Sequence, residues 1–312
     1  MMSVPEPYPT PRGVEAAIKD AAKNAAEADP SLDTNKRIQL EYFNRFLSRI
    51  FSDGEDSEWV LKGGAGILAR IPSTRSTRDI DLYRQGFSLD QALEDLRRLA
   101  SIDLGDHFRF EYVGHDVAIA ADTQPYAEGY RASFTVFIGV SKKGSVQVDL
   151  AIGTGVTDEV SAALPATALD LPRLVSRPYR LYPVVDQIAD KVCATLADYG
   201  GRPSSREKDL VDIVTLATTQ DIDGTALSLA VDTERHRRRM APFGGFIVPS
   251  TWGAGYEKQS RSEPYCADYR TVESAAGLAS RLIDPALTDE AKGKTWSRDL
   301  LRWRPGGAVS GG

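Results

Sequence analysis

The stretch from residue 108 to residue 151 constrains the fold more than any other part of the chain. "FRFEYVG", "VAIA", "YRASFTVFIGV" and "SVQVDLAIG" alternate apolar with polar residues and are rich in β-branched and aromatic side chains. A period of two sends successive side chains to opposite faces, which is the signature of strands with one buried and one open face. Within it, "VSKKGSVQVDL" predicts a hairpin that turns near Lys143-Gly144.

Helical spacing flanks this block on both sides. Val14, Ala17, Ile18, Ala21 and Ala25 recur as on one face of a helix. A second helix is expected from Asp33 to Phe51, with Phe43, Phe46, Leu47, Ile50 and Phe51 as its stripe and Ser31, Asp33 or Thr34 as its cap. A short strand (Trp59 to Lys62), a glycine turn and a second strand (Asp79 to Arg84) follow. "SLDQALEDLRRLA" then reads as a helix opened by a Ser88/Gln91 capping box. Beyond a proline-rich connection, Pro165 to Pro183, the pattern becomes helical. "VVDQIADKVCATLADYG" runs to Gly200 as its C-cap, and "SSREKDLVDIVTLATT" opens on a Ser204/Glu207 capping box. A third helix is expected near 224–240, a long loop over 241–264 and a helix over 271–284.

The expected fold class is α+β: a small mixed β-sheet core flanked by N-terminal helices, with a mainly helical C-terminal lobe. Residues 1–12 read as a flexible arm, 13–165 as the core with its N-terminal helices, 166–303 as the helical lobe and 304–312 as a disordered tail. With 312 residues, 42% of them hydrophobic and 26% charged, the chain can bury one large core or two modest ones. A net charge of −6 argues against a protein that coats nucleic acid through its overall field, yet leaves room for a local basic groove. Cys193 and Cys266 lie far apart, and His107, His115 and His236 share no ligand spacing, so neither a disulfide framework nor a zinc site is expected. No apolar run is long enough to span a bilayer, and "MMSVPEPYPTPRG" has no apolar signal region. The expected location is cytoplasmic, with no membrane partner.

Chemistry concentrates in "VLKGGAGILARIPSTRSTRDIDLY", Val60 to Tyr83. Asp79 and Asp81, at i and i+2 on a strand, project from the same face while Ile80 and Leu82 turn to a core. Two neighbouring carboxylates repel unless a cation lies between them, and a hard divalent cation is one solution. Taken alone, the pair reads as the solvent face of an edge strand before it reads as a metal site. Gly63-Gly64, between a strand and a helix, could offer backbone N–H groups to a phosphate, or could be a tight turn only. Arg75, Ser76, Thr77 and Arg78 stand just before the acids and could reach triphosphate oxygens. Asp149 lies inside another strand-like run, and its convergence with Asp79 and Asp81 would make the three-carboxylate arrangement that two-metal phosphoryl transfer uses. Downstream, Lys191 is a candidate cationic partner for Asp209 and Asp212, which share a helix face at i and i+3.

In order, "VLKGGAGILA…RSTRDIDLY", "VQVDLAIG", "DQIADKVCATL" and "REKDLVDIVTL" resemble the AbiEii-type nucleotidyltransferase toxins, including the mycobacterial MenT toxins, of the polymerase-beta-like nucleotidyltransferase superfamily. The resemblance covers about half the chain, Trp59 to Leu216. It implies that Lys62, Gly63, Gly64, Ser76, Thr77 and Arg78 serve the nucleotide, that Asp79, Asp81 and Asp149 bind metal, and that Lys191, Asp209 and Asp212 complete the catalytic set with Asp79 and Asp81. It further implies Mg²⁺ or Mn²⁺ as cofactor and an NTP, with pyrimidines preferred, as donor. The implied acceptor is the 3′ end of tRNA, the outcome blocked aminoacylation and translation, and the partner a cognate antitoxin. The alternatives are transfer to a small molecule or protein hydroxyl, or a catalytically inactive nucleotide-binding module. "ERHRRRM", Glu234 to Met240, could meet an RNA backbone or be a solvated helix end. Trp252, Tyr256, Lys258 and Arg261 could stack on bases or pack a C-terminal loop.

Overall fold

The computed structural model describes residues 6–30, 32–71, 77, 79–117, 129–153, 155–166 and 168–306. Ser31, Arg75, Ser76 and Arg78, named above as cap or nucleotide-binding candidates, lie outside the described residues. The chain divides into two compact units. The described residues of the first fall within 6–117, 129–155 and 161–181, and those of the second within 156–160 and 182–306.

The first unit is built on a seven-stranded mixed sheet. Its strands are β1 (Trp59–Lys62), β2 (Asp79–Gln85), β3 (Phe108–Val117), β4 (Gly129–Ile138), β5 (Ser141–Gly153), β6 (Ser161–Ala163) and β7 (Tyr179–Leu181), in the spatial order β3-β4-β5-β2-β1-β7-β6. β2 runs parallel to β5 and β1 parallel to β7, while the other neighbours are antiparallel. Among its described residues are the α-helices α1 (Pro11–Ala28), α2 (Thr34–Ile50), α3 (Gly63–Arg70) and α4 (Leu89–Ala100). Thr10 caps α1 with Pro11 in its first turn, and Asp33 caps α2 by accepting from the Lys36 N–H. The Ser88/Gln91 capping box on α4 forms as expected.

One face of the sheet is dry. Ile80, Leu82, Val146, Val148, Leu150, Ala132, Phe134 and Val136 bury against Phe43, Phe46, Leu47 and Ile50 of α2 and Leu96 and Leu99 of α4. Phe46 meets Phe110 edge-on and Phe134 at a tilt, with centroids 5.2 and 5.0 Å away. α2 also buries charge that its apolar stripe did not announce. Arg49 makes a fork with Asp106 at 2.6 and 3.0 Å, and Arg45 pairs with Glu41 at 2.7 Å. Burial pushes the Glu41 carboxyl up, with the Arg45 charge pulling the other way.

Several boundaries differ from expectation for local reasons. Glu6 and Pro7, within the expected flexible arm, accept through their carbonyls from Arg173, and the Tyr8 carbonyl pairs with the His107 ring. The hairpin turns at Gly139-Val140, not near Lys143-Gly144. Gly139 takes φ +58°, as a tight two-residue turn requires. Lys143 is instead the extra residue where the β4–β5 register shifts, and it reaches Glu15 of α1 at 2.7 Å. The proline-rich connection contains β7, which adds to the sheet beside β1.

The second unit holds α5 (Val184–Leu196), α6 (Glu207–Thr219), α7 (Gly224–Arg237), α8 (Ala254–Ser260) and α9 (Val272–Leu287), with a small sheet of β8 (Ile222–Asp223), β9 (Lys294–Ser297) and β10 (Arg302–Pro305). Every residue of α6 from Asp209 to Ala217 is buried, so this helix is the core rather than a face of it. α5 stops at Leu196, short of Gly200. The Ser204/Glu207 capping box does not form: the Glu207 carboxylate accepts from the Tyr256 N–H at the start of α8 instead. Part of the expected 241–264 loop is thus α8, anchored by buried Trp252 and Tyr256, which donate to the Ser204 and Tyr269 carbonyls. Those two rings pack a core and present no stacking surface. Arg304 and Pro305, expected in a disordered tail, end β10, and 307–312 lie outside the described residues. No described helix is long and apolar enough to cross a membrane.

Candidate active site

The first unit keeps its chemistry on the open face of the sheet. Burial alternates along β2 and β5: Ile80, Leu82, Val148 and Leu150 are buried, while Asp79, Asp81, Gln147 and Asp149 are half-exposed. Asp81 is the register partner of Asp149 on β5, of Lys62 on β1, and Asp149 in turn is the partner of Arg131 on β4. Register partners share a face, so Lys62, Asp81, Asp149 and Arg131 form one row across four strands, with Asp79 two residues along β2.

Gly63 explains part of the glycine pair. It has φ +62°, and a Cβ on it would fall 2.0 Å from Oδ2 of Asp81. Only glycine lets the chain turn from β1 into α3 while the Asp81 carboxylate lies against that turn. An anion at the start of a helix is also favoured by the exposed N–H groups there. Gly64 follows in the first turn of α3. The Lys62 ammonium lies 5.8 Å from the Tyr83 ring centroid, and the Thr77 hydroxyl donates to the Asp79 carbonyl.

Asp149 is engaged. Arg131 donates from Nε to Oδ1 at 2.6 Å and from Nη2 to Oδ2 at 2.7 Å. The hydrogen bond and charge of Asp149, with Asp79 and Asp81 behind them, push the Arg131 pKa up. Sequence reasoning missed Arg131. Its place on the polar side of the "YRASFTVF" alternation was the available signal, but pairing it with Asp149 required the strand register.

The residues fit a hard divalent cation in part. Asp79 and Asp81 present carboxylates, the ligand type Mg²⁺ and Mn²⁺ prefer, from one face of β2, and Asp149 is the register partner of Asp81 on β5. Among the described residues, however, no group of three acids, histidines or cysteines is poised to hold a metal ion. The fork from Arg131 takes one lone pair on each oxygen of Asp149 and sets a positive charge beside them, so a cation at that donor competes with the guanidinium.

The second unit gathers the downstream candidates. Lys191 on α5 lies 2.5 Å from Asp212 and 3.3 Å from Asp209 on α6. Arg206, also missed in the sequence, donates to Asp209 at 2.5 Å. Desolvation lowers the Arg206 pKa, but the charge and hydrogen bond of Asp209 outweigh it and the net direction is up. Asp209 is 0% exposed and Asp212 3%, so these charges are compensated within the unit. In the "ERHRRRM" segment, Arg238 pairs with Glu234 at 2.6 Å and Arg235 with Asp232. An open cavity of about 1340 Å³ in this unit is lined by Arg202, Arg206, Lys208, Arg238 and Arg239 against the single acid Asp198.

The structure therefore brings Lys62, Gly63, Gly64, Asp79, Asp81 and Asp149 together in one unit, and Lys191, Asp209 and Asp212 together in the other. No curated protein matches the chain. Among solved structures, JHP933 from Helicobacter pylori is similar at 13% identity and TM-score 0.42, over 81% of this chain and 94% of that one. A proposed nucleotidyltransferase from H. pylori is similar at 14% identity and TM-score 0.42, over 83% of this chain and 99% of that one. The family model described as nucleotidyl transferase AbiEii toxin, type IV TA system, matches residues 45–302. The chain belongs to the AbiEii nucleotidyltransferase toxin family.

Proposed function

We propose that the chain is a metal-dependent toxin that transfers a nucleoside monophosphate from an NTP, with a pyrimidine base preferred, to the 3′ end of tRNA. Pyrophosphate leaves, the modified tRNA cannot be aminoacylated, and a cognate antitoxin restrains the activity. The observation that carries this reading is the register of Asp81 with Asp149 and of both with the open sheet face.

Asp79 and Asp81 would hold Mg²⁺ or Mn²⁺, with Asp149 as the third carboxylate. Such a cation, when bound, supplies polarisation of the phosphoryl oxygens and a lowered pKa for the attacking hydroxyl. Lys62 and the Gly63-Gly64 turn bring a cation and backbone N–H groups to the phosphate side, and the resemblance adds Ser76, Thr77 and Arg78, which come just before Asp79 in the sequence. The family resemblance assigns Lys191 to the charge that leaves with pyrophosphate, and Asp209 and Asp212 hold its ammonium within the second unit. Arg202, Lys208 and Arg239 in the second unit's cavity favour a polyanionic acceptor over a neutral small molecule, whereas Arg206 and Arg238 there are paired with Asp209 and Glu234.

The test is incubation of the purified protein with each α-labelled NTP, total tRNA and Mg²⁺ or Mn²⁺. Label should enter tRNA, most with CTP or UTP, and should vanish in an Asp81→Ala variant. Label in protein or in a small molecule without labelled tRNA would replace this acceptor with another, and transfer retained by Asp81→Ala would reject the carboxylate mechanism.

A further inference from the structure

Arg131 has the geometry of a competitor for the third carboxylate. Its fork takes both oxygens of Asp149, at 2.6 and 2.7 Å. Among the described residues its hydrogen bonds and ion pairs are all to Asp149. The Arg131 side chain is 51% exposed and that of Asp149 31%, so the pair sits at the water boundary and breaks at little cost. A guanidinium fork matches phosphate oxygens as well as it matches a carboxylate.

We propose that Arg131 is a positioning residue that reserves Asp149 until a nucleotide arrives, and then transfers its fork from that carboxylate to the nucleotide's phosphate oxygens. This rests on the reading of Asp79, Asp81 and Asp149 as cation ligands. No covalent bond changes: the Arg131–Asp149 ion pair and a cation–water contact become two ion pairs, Arg131 with phosphate and the cation with Asp149, and the water is released. Binding of nucleotide and of divalent cation is therefore coupled through one side chain, and the coupling acts equally in both directions. In the absence of NTP the site holds metal weakly, which keeps the three carboxylates from being saturated by free cation.

The experiment uses the full chain and Mn²⁺ as the probe, read by electron paramagnetic resonance without nucleotide. Arg131→Gln should tighten Mn²⁺ binding by about fivefold, the scale set by the loss of one half-exposed pair. That gain should disappear in an Asp149→Asn background, because it acts through the carboxylate and not through the charge of Arg131 alone. At saturating Mn²⁺ the same Arg131→Gln variant should bind a non-hydrolysable NTP analogue about tenfold more weakly, since a charged hydrogen bond to phosphate is lost. Arg131→Lys, which keeps the charge but not the fork, should also tighten Mn²⁺ binding. An unchanged Mn²⁺ affinity in Arg131→Gln, or a gain that persists with Asp149→Asn, overturns the inference. If Asp81→Asn binds Mn²⁺ as the wild type does, the cation-ligand reading itself is wrong and the inference goes with it.

Discussion

The two units pair the same kinds of charges in opposite surroundings. On the open sheet face of the first, Arg131 and Asp149 meet in water's reach, 51% and 31% exposed. In the core of the second, Lys191, Asp209, Asp212 and Arg206 are packed among helices, with Asp209 fully buried. A half-exposed pair exchanges partners easily and contributes little to stability. A buried cluster has lost its hydration, and removing one member leaves the rest uncompensated. The difference teaches that one chain can keep an exchangeable ion pair on an open sheet face while a fixed one holds a helix pair together.

The largest expected effect follows from the buried side. Lys191→Met should destabilise the protein by about 3–5 kcal/mol, because two acids are left buried with one cation between them. Urea unfolding followed by circular dichroism measures it, and a loss below 1 kcal/mol would erase the contrast between the units. Arg131→Gln, in the same assay, should cost less than about 1 kcal/mol. Asp81→Asn acts on the other side of the comparison, leaving stability nearly unchanged while lowering nucleotidyl transfer roughly a hundredfold, equivalent to about 3 kcal/mol of transition-state stabilisation. Gly63→Ala tests how tightly the glycine turn holds the carboxylate. Its Cβ would meet Asp81 at 2.0 Å from a residue already at φ +62°. A strain of about 1–3 kcal/mol is expected, together with a fall in activity greater than that of an alanine at Gly64.

The smallest effect concerns pH. Burial pushes the Asp186 carboxyl up from 3.8, although the Thr157 N–H and hydroxyl donate to it and pull it down. The folded state thus binds more protons than the unfolded state just above pH 3.8, and stability falls as pH rises through that window. Asp186→Asn should flatten the fall, and thermal melts between pH 4 and 7 would reveal it. A variant whose melting temperature keeps the wild-type slope would assign the pH dependence to other groups, Glu41 first, whose carboxyl is also pushed up by burial.

Much of the fold was legible because long elements carry their own pattern. The alternation in β3, β4 and β5, the stripe of α2 and the Ser88/Gln91 box of α4 each depend on residues a few positions apart. Short strands carried no such signal: β7 is three residues inside a proline-rich connection, and it is a strand only because the edge of β1 is there to pair with it. Glu207 read as a cap because the local spacing allowed it, but a nearby helix start offered its carboxylate a better donor. Trp252 and Tyr256 offered aromatic surface in the sequence, and burial removed it. At the candidate site the acids on β2 were visible from spacing, whereas the pairing of Asp149 with Arg131 was not.

The sequence by itself determined which residues could carry the chemistry: two aspartates one strand-period apart, glycines before them, a third acid in a later strand, and a lysine followed by two acids on helices. It did so because strand and helix periodicity are short-range properties of the chain. The tertiary structure alone decided which of those groups touch. Sheet register put Asp81 beside Asp149 and Arg131 across from both, and helix packing closed Lys191 onto Asp209 and Asp212. Register and packing are set by the burial of apolar faces far apart in the chain, so charge partners that ride on those faces cannot be read from spacing.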